Sequence, residues 1–149
     1  MDRSFVAANG RELARMRALV SRLSDPQLGA MVNEHWSVAG VLGHIAFWDG
    51  CALYLARKLQ RGVPFTASES EPGDVDWIND SYRPLVHAIA PRALAELAVC
   101  IAEETDDLVA SLPDELLASL DETSPLNLVR ADHRGEHLDE IEAAIRPRT

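Results

Sequence analysis

Helical periodicity is the feature of this sequence that most constrains its fold. Apolar residues recur three and four positions apart in four long segments, and no alternating run of β-branched residues predicts a strand. In the first segment, this apolar face consists of Leu13, Met16, Val20 and Leu23. Four amphipathic helices of this kind predict an all-α protein, a four-helix bundle that occupies residues 1–149 as a single domain.

Turn and capping residues divide the first half of the chain. Ser24, followed by Asp and Pro, predicts the end of the first helix. Ser37 has the character of an N-cap, so we expect the second helix to run from Val38 to Gln60. Gly62 and Pro64 then end it.

Prolines mark most boundaries in the second half. Residues 62–74 are rich in Ser, Glu, Gly and Pro and predict an exposed loop. A short helix is expected over Asp76–His87, disturbed by Pro84. The third long helix should begin at Pro91 and end at Pro113.

The fourth long helix is predicted to begin at Ser124 and Pro125, an N-cap followed by a first-turn proline, and to stop before Pro147. Its apolar face would consist of Leu126, Val129, Ile141, Ala144 and Ile145. The two halves of the chain resemble each other, because a Leu-Val-x-x-Leu motif closes the first helix at Leu23 and the third at Leu112. The same shift of 89 residues carries His44 onto His133.

Three histidines lie on these apolar faces. His133 and His137 are four residues apart on the predicted fourth helix, so both rings lie on one side of it. His44 shares a face with Trp48 and Cys51 on the second helix. Three buried imidazoles without a common partner would leave polar nitrogens unsatisfied, at about 1–3 kcal/mol each. The pattern therefore predicts one divalent metal ion bound by His44, His133 and His137, whereas solvated side chains are expected for His35 and His87.

Three neutral ligands leave a divalent ion its full charge and an open coordination position, which is typical of catalytic metal sites. A water bound there can ionise near neutral pH, and a bound thiol ionises more readily still. Imidazole ligands suit zinc, nickel, iron or copper, so the metal stays open at this point. The pattern identifies no catalytic residue beyond the ligands.

Three residues near the predicted ligands have more than one interpretation: Glu136, Glu140 and Cys51. His133, Glu136 and His137 match the HxxEH motif of inverted zinc proteases. Peptidase activity is disfavoured because Glu136 lies about 100° around the helix from His137. Glu136 or Glu140 could orient an imidazole, or both could belong to a solvated acidic face. Cys51 could line the pocket or be a small core residue.

Charge and composition restrict the partners. The net charge of −10 repels phosphate backbones and anionic lipids, so neither nucleic acid nor a membrane surface is an expected partner. No run of eighteen apolar residues predicts a membrane span, and the N-terminus lacks the pattern of a signal peptide. Two cysteines far apart favour reduced thiols. These features favour a cytoplasmic protein that acts on a small molecule.

Two segments together resemble a known family. Trp36-Ser37-Val38, followed by Val41-Leu42-Gly43-His44-Ile45 and Trp48-Asp49, is similar to the second helix of the DinB/YfiT-like superfamily, and the late histidine pair is similar to its last-helix ligands. The resemblance covers nearly the whole chain. It implies an up-down-down-up four-helix bundle, zinc or nickel on His44, His133 and His137, and a homodimer. Its mycothiol-dependent maleylpyruvate isomerase-like members imply a low-molecular-weight thiol such as mycothiol as a further cofactor.

Two functional hypotheses follow. The first is a metal-dependent enzyme that activates a low-molecular-weight thiol or a water against a small electrophile, as a thiol-dependent S-transferase, an isomerase or a hydrolase. Its substrate would bind at the mouth of the bundle near the 62–74 loop. The alternative is a non-catalytic helical bundle that binds a metal or another ligand. The sequence specifies neither the substrate nor the metal.

Overall fold

The computed structural model describes residues 2–70 and 72–147, and these residues are predominantly α-helical. The described part contains no strand, and a single β-bridge joins Met31 to Ser37. The prediction of an all-α protein is therefore confirmed. The helices are α1 (Ser4–Arg22), α2 (Asp25–Gly29), α3 (Val38–Gln60), α4 (Asp76–His87), α5 (Pro91–Ser111), α6 (Asp114–Ala118) and α7 (Ala131–Ile145), with a 3₁₀ turn at Ala67–Glu69.

Four long helices surround the core. Helix α3 packs against α5 and α7, and α1 packs against the same two helices, so the four form a closed ring of neighbours. One cluster of buried apolar side chains joins α1, α3, α4, α5 and α7, and a second lies among the start of α1, the end of α3, the end of α5 and the α6 region. The up-down-down-up order of helix directions stays a prediction.

Helix α3 is the central element of this arrangement. By length and composition alone it is apolar enough to cross a membrane, which differs from the expectation that no segment would be. However, 67% of its apolar window is buried inside the protein. Neighbouring helices cover α3, which is the behaviour of a core helix in a soluble protein.

Most of the predicted boundaries are confirmed. Ser24 ends the α1 region and caps the short helix α2, accepting a hydrogen bond from Gln27 N while the Gln27 side chain accepts one from Ser24 N. Ser37 caps α3 by accepting from Gly40 N. Helix α4 has the predicted bounds and continues through Pro84.

The predicted start of the last helix is wrong. Helix α7 begins at Ala131, and Ser124 instead lies in a turn where its hydroxyl bonds with Asp121. The side chain of Asn9, on α1, accepts hydrogen bonds from the backbone N–H groups of residues 130 and 131 and donates to the carbonyl of residue 128. A residue distant in the sequence therefore fixes where α7 begins, and local capping signals cannot reveal it. Of the apolar face predicted for this helix, Leu126 is buried outside the helix, while Val129 and Ala144 are exposed.

A close approach of helices places α4 beside the first half of α3. A Cβ atom at Gly43 would lie 2.7 Å from Val86 Cγ1 on α4 and 3.0 Å from Leu94 Cδ1 on α5. A larger residue at this position would require the side chains of Val86 and Leu94 to shift. As a result, Tyr82 on α4 lies against His44, the residue after this glycine.

Candidate metal centre

The three predicted histidines meet in the structure. His44 projects from α3, and His133 and His137 project from consecutive turns of α7. Their ring centroids are 5.1 Å apart for His44 and His133, 4.6 Å for His44 and His137, and 4.7 Å for His133 and His137. One potential ligand atom from each ring lies within 4.8 Å of the other two. Three imidazole nitrogens that converge from two helices could hold a single metal ion.

Hydrogen bonds to Tyr82 determine the tautomer of His44. The indole of Trp48 can only donate, so the Asn79 atom 3.1 Å from its Nε1 is the amide oxygen. The hydroxyl of Tyr82 donates to the same oxygen at 3.0 Å. Its own oxygen must then accept from His44 Nδ1–H, at 2.7 Å. In neutral His44 the proton therefore lies on Nδ1, and Nε2 presents a lone pair to the other histidines.

Glu140 orients His137 in the same way. The carboxylate oxygen Oε2 of Glu140 lies 2.9 Å from His137 Nδ1, so Nδ1 carries the proton and Nε2 is available as a ligand. Of the two glutamates predicted as partners, Glu140 makes this contact, whereas Glu136 lies exposed. The exposed position of Glu136 gives no support to the peptidase hypothesis.

His133 contacts His44 through one ring nitrogen and, within the described part of the chain, has no hydrogen-bond partner at the other. Its Nε2 lies 3.1 Å from Nε2 of His44, facing the lone pair that the tautomer of His44 leaves there. Among the described residues, its Nδ1 is the buried side-chain nitrogen that has no hydrogen-bond partner. An unsatisfied buried nitrogen costs about 1–3 kcal/mol. The donor set and its crowding fit a shared divalent cation.

Burial keeps the rings of His44 and His133 neutral. It lowers the pKa of His44 to about 4, and the neighbouring charge of His137 contributes in the same direction. Burial also lowers the pKa of His133 to about 3, with further contributions from His137 and Arg130. Both rings are therefore unprotonated at neutral pH, as metal ligands must be.

A buried network of charges supports the triad, and the sequence reasoning did not identify it. Asp49 on α3 is fully buried, and its two carboxylate oxygens accept from Arg130 Nε and Arg134 Nε, each at 2.8 Å. Arg134 also binds Asp106 on α5 through both Nη groups, at 2.8 and 2.9 Å. Thr105 donates to the backbone carbonyl of residue 49 at 3.2 Å. This network ties α3, α5 and α7 together one turn from the histidines.

The sequence did contain a signal for the network. Arg134 precedes Leu138 and Ile141 by four and seven positions, so it lies on the buried face of α7. A charged residue on an apolar face must find a partner inside the protein. Arg134 is fully buried, and the carboxylates of Asp106 and Asp49 raise the pKa of its guanidinium more than burial lowers it.

A cavity of about 650 Å³ lies beside the network, between α3 and two loops. Cys51 is half-buried in its wall, so it lines this cavity and not a pocket formed by the three histidines, none of which is a lining residue. The predicted 62–74 loop forms part of its rim, through Ser68, Glu69, Ser70 and Pro72.

The two histidines outside the triad, His35 and His87, are exposed, as expected.

In this helical protein, three partly or fully buried histidines from α3 and α7 converge on one candidate metal site. The model of the DinB superfamily matches residues 9–140, a range that includes all three histidines. The chain belongs to the DinB superfamily. Among curated proteins and solved structures, none matches the chain significantly.

Proposed function

We propose that this chain is a small metal-dependent enzyme, and that His44, His133 and His137 hold its divalent ion. The observation that carries the proposal is the convergence of three imidazoles, with Nδ1 of His44 bonded to Tyr82 and Nδ1 of His137 bonded to Glu140. Zinc or nickel suits a ligand set made only of imidazole nitrogens.

The chemistry proposed at this site is the activation of a nucleophile. A divalent ion with three neutral ligands would lower the pKa of a bound thiol or water enough to ionise it at neutral pH. The nucleophile would be a low-molecular-weight thiol such as mycothiol, or water, and the other substrate a small electrophile. The reaction would be an S-transfer, an isomerisation or a hydrolysis.

The residues of the chain contribute position and exclusion of water. Tyr82 and Glu140 fix the orientation of two imidazoles, and the network around Asp49 holds α7 against α3 and α5. The apolar cavity next to the network would hold the electrophile. We further propose that the protein is cytoplasmic and that it forms a homodimer. Its helices would follow the up-down-down-up order of the family.

Metal content tests the central claim. Protein purified without an imidazole-eluted tag should carry about one divalent ion per chain by elemental analysis. His44→Ala and His133→Ala should lose the ion. His35→Ala and His87→Ala are matched controls, because both are exposed histidines outside the triad, and these variants should retain the ion. Wild-type protein that carries no ion and does not bind added zinc or nickel would refute the proposal.

Titration of a cobalt-substituted sample distinguishes thiol from water. A thiol that binds the ion should introduce sulfur-to-metal charge-transfer bands, so mycothiol, bacillithiol, glutathione and cysteine are each added to wild type and to Cys51→Ala. A response to one thiol in both proteins supports a thiol cofactor. No response from any thiol leaves water as the nucleophile. Loss of the response in Cys51→Ala would assign the sulfur ligand to the chain itself.

The alternative, a non-catalytic metal- or ligand-binding bundle, shares the same triad. It differs in requiring no turnover and no exchangeable ligand on the ion. A protein that binds one ion, unfolds completely on chelation and shows no thiol response would favour it.

A further inference from the structure

We propose that the cavity beside the triad binds a small molecule with a flat apolar body and one carboxylate, and that Arg130 binds this carboxylate. The proposal names the substrate class of the proposed enzyme and to that extent rests on the proposed function. The binding itself requires no metal.

Arg130 is a buried cation whose hydrogen-bonding capacity is only partly used. It is 7% exposed and lines the cavity. Its Nε donates to Asp49 at 2.8 Å, and neither of its Nη groups donates to any residue of the ranges 2–70 and 72–147. Neither Nη group is fully buried. Among the described residues, the fully buried side-chain nitrogen without a partner is Nδ1 of His133, not a nitrogen of Arg130. The Nη groups therefore keep some accessible surface, and Arg130 is the arginine that lines the cavity.

Arg134 shows what a fully engaged arginine looks like in the same network. Its Nε binds Asp49, both Nη groups bind Asp106, and one Nη also approaches the carbonyl of residue 102 at 3.3 Å. Arg130 has only its share of Asp49. An arginine held through Nε presents its Nη groups in a fixed plane, which is the geometry that recognises a carboxylate.

The cavity wall determines the rest of the ligand. Aromatic and aliphatic side chains dominate it, among them Phe47, Trp48, Tyr54, Leu55 and Ile78. The acidic side chain described in the wall, Glu69, is engaged by Lys58 at 2.5 and 2.7 Å. A volume of about 650 Å³ suits a small organic ligand. Apolar walls beside a guanidinium whose Nη groups have no partner among the described residues favour an apolar molecule with one anionic group.

A carboxylate fits better than a phosphate. The backbone N–H groups of residues 130 and 131, where α7 begins, both donate to Asn9 and are therefore not available to an anion. Among the described side chains that line the cavity, Arg130 is the cation. One planar guanidinium matches one planar carboxylate.

The cavity lies next to the triad. Arg130 is three residues before His133, and its charge contributes to lowering the pKa of that histidine. Phe47, which also lines the cavity, stacks on Tyr82 with ring centroids 4.0 Å apart, and Tyr82 bonds to His44. The cavity is therefore connected to the triad through the side chain of Arg130 and through those of Phe47 and Tyr82, although none of the three histidines lines it.

The test compares 3-phenylpropanoate with its neutral amide, each titrated into the full-length ¹⁵N-labelled chain with and without zinc. The indole N–H of Trp48 and the Nε–H of Arg130 report on the cavity directly. We expect saturable shifts at both signals with the carboxylate. The amide should bind at least about tenfold more weakly. Equal affinity for the two compounds, or no shift with either, would overturn the proposal.

Three variants separate anion recognition from folding. Arg130→Gln should abolish the preference for the carboxylate; Asp49 keeps Arg134 as its partner there. Gly50→Leu should weaken both compounds, because a Cβ at this lining position meets no atom within 4 Å and the side chain has open space to fill. Arg57→Gln removes an exposed arginine of the same helix and should change nothing. A carboxylate preference that survives in Arg130→Gln would refute the role of Arg130.

The two proposals fail in different ways. Carboxylate binding in a chain that carries no metal would refute only the metal-dependent enzyme. A chain that binds its metal on the three histidines but not 3-phenylpropanoate would refute only the role of Arg130.

Discussion

At the scale of single residues, Tyr82 connects the triad to α4. Its hydroxyl accepts from His44 and donates to Asn79, so it fixes both the tautomer and the direction of the imidazole. Tyr82→Phe keeps the ring that stacks on Phe47 and removes only the hydroxyl. We expect zinc affinity to fall about 10- to 100-fold, the usual cost of losing a group that orients a ligand. Competition titration against a zinc chelator measures this.

The control for Tyr82→Phe is Tyr54→Phe. Tyr54 is 59% exposed on α3, and loss of its hydroxyl should leave zinc affinity unchanged. If Tyr82→Phe binds zinc as tightly as wild type, then packing alone orients His44, and the hydrogen-bond argument for its tautomer is wrong.

The buried histidines also make the metal-free protein sensitive to acid. The pKa of His44 falls from an ordinary 6.5 to about 4 on folding, and that of His133 to about 3. Below pH 6.5 the unfolded chain therefore binds more protons than the folded one, and stability falls as pH falls through this window. Each unit of pKa difference between the folded and unfolded states corresponds to about 1.4 kcal/mol in the free energy of unfolding. Chelated protein should lose stability between pH 6.5 and 4, as measured by denaturant titration.

Carboxylates throughout the chain also titrate in acid, so the histidine contribution is isolated by difference. His133→Gln removes the group with the lower of the two folded pKa values, and its stability should fall less steeply with pH than that of wild type. Parallel pH profiles for the two proteins would mean that His133 is not buried in its neutral form in the metal-free state.

At the scale of elements, the start of α7 depends on α1. Asn9 is fully buried and satisfies the backbone of residues 128, 130 and 131. Asn9→Ala should destabilise the protein by at least about 1–3 kcal/mol, because buried N–H groups lose their acceptor. It should also speed hydrogen exchange at residues 130–134, which include His133. Denaturant titration and exchange mass spectrometry measure the two effects.

Asn127→Ala is the matched control for Asn9→Ala. Asn127 is an exposed asparagine that accepts one local hydrogen bond, from Val129 N, just before the same helix. Its loss should have little effect on stability or on exchange in α7. An equally large effect would mean that the local turn, and not α1, determines where α7 begins.

At the scale of the whole molecule, the two halves repeat. A shift of 89 residues places α2 (Asp25–Gly29) on α6 (Asp114–Ala118) and the end of α1 on the end of α5. The same shift relates His44 to His133, whose Nε2 atoms are 3.1 Å apart. The predicted internal repeat is therefore visible in the order of elements, and it accounts for a triad to which both halves contribute.

The sequence predicts what is periodic and local. The apolar face of α1, the helix end at Ser24, the cap at Ser37 and the convergence of the three histidines follow from spacing, and the structure has them in place. The start of α7 and the pairing of Asp49 with two arginines do not follow, because their partners are 81 to 122 residues away. Such contacts are decided by how the helices pack, and spacing within one helix carries no information about them.

The two apolar clusters determine how the molecule responds to metal removal. The larger cluster joins apolar side chains of α1, α3, α5 and α7 directly, so we expect the core to persist without the ion. An ion that binds only the folded state adds about 2.7 kcal/mol at a hundredfold excess over its dissociation constant. Chelation should therefore lower the melting temperature while the far-ultraviolet circular dichroism stays helical.

His44→Ala should melt at the same temperature with and without chelator, whereas the melting temperature of His35→Ala should fall on chelation as that of wild type does. Loss of the helical spectrum on chelation would instead show that the ion is structural, because packing of these clusters would then be insufficient to hold the four long helices together.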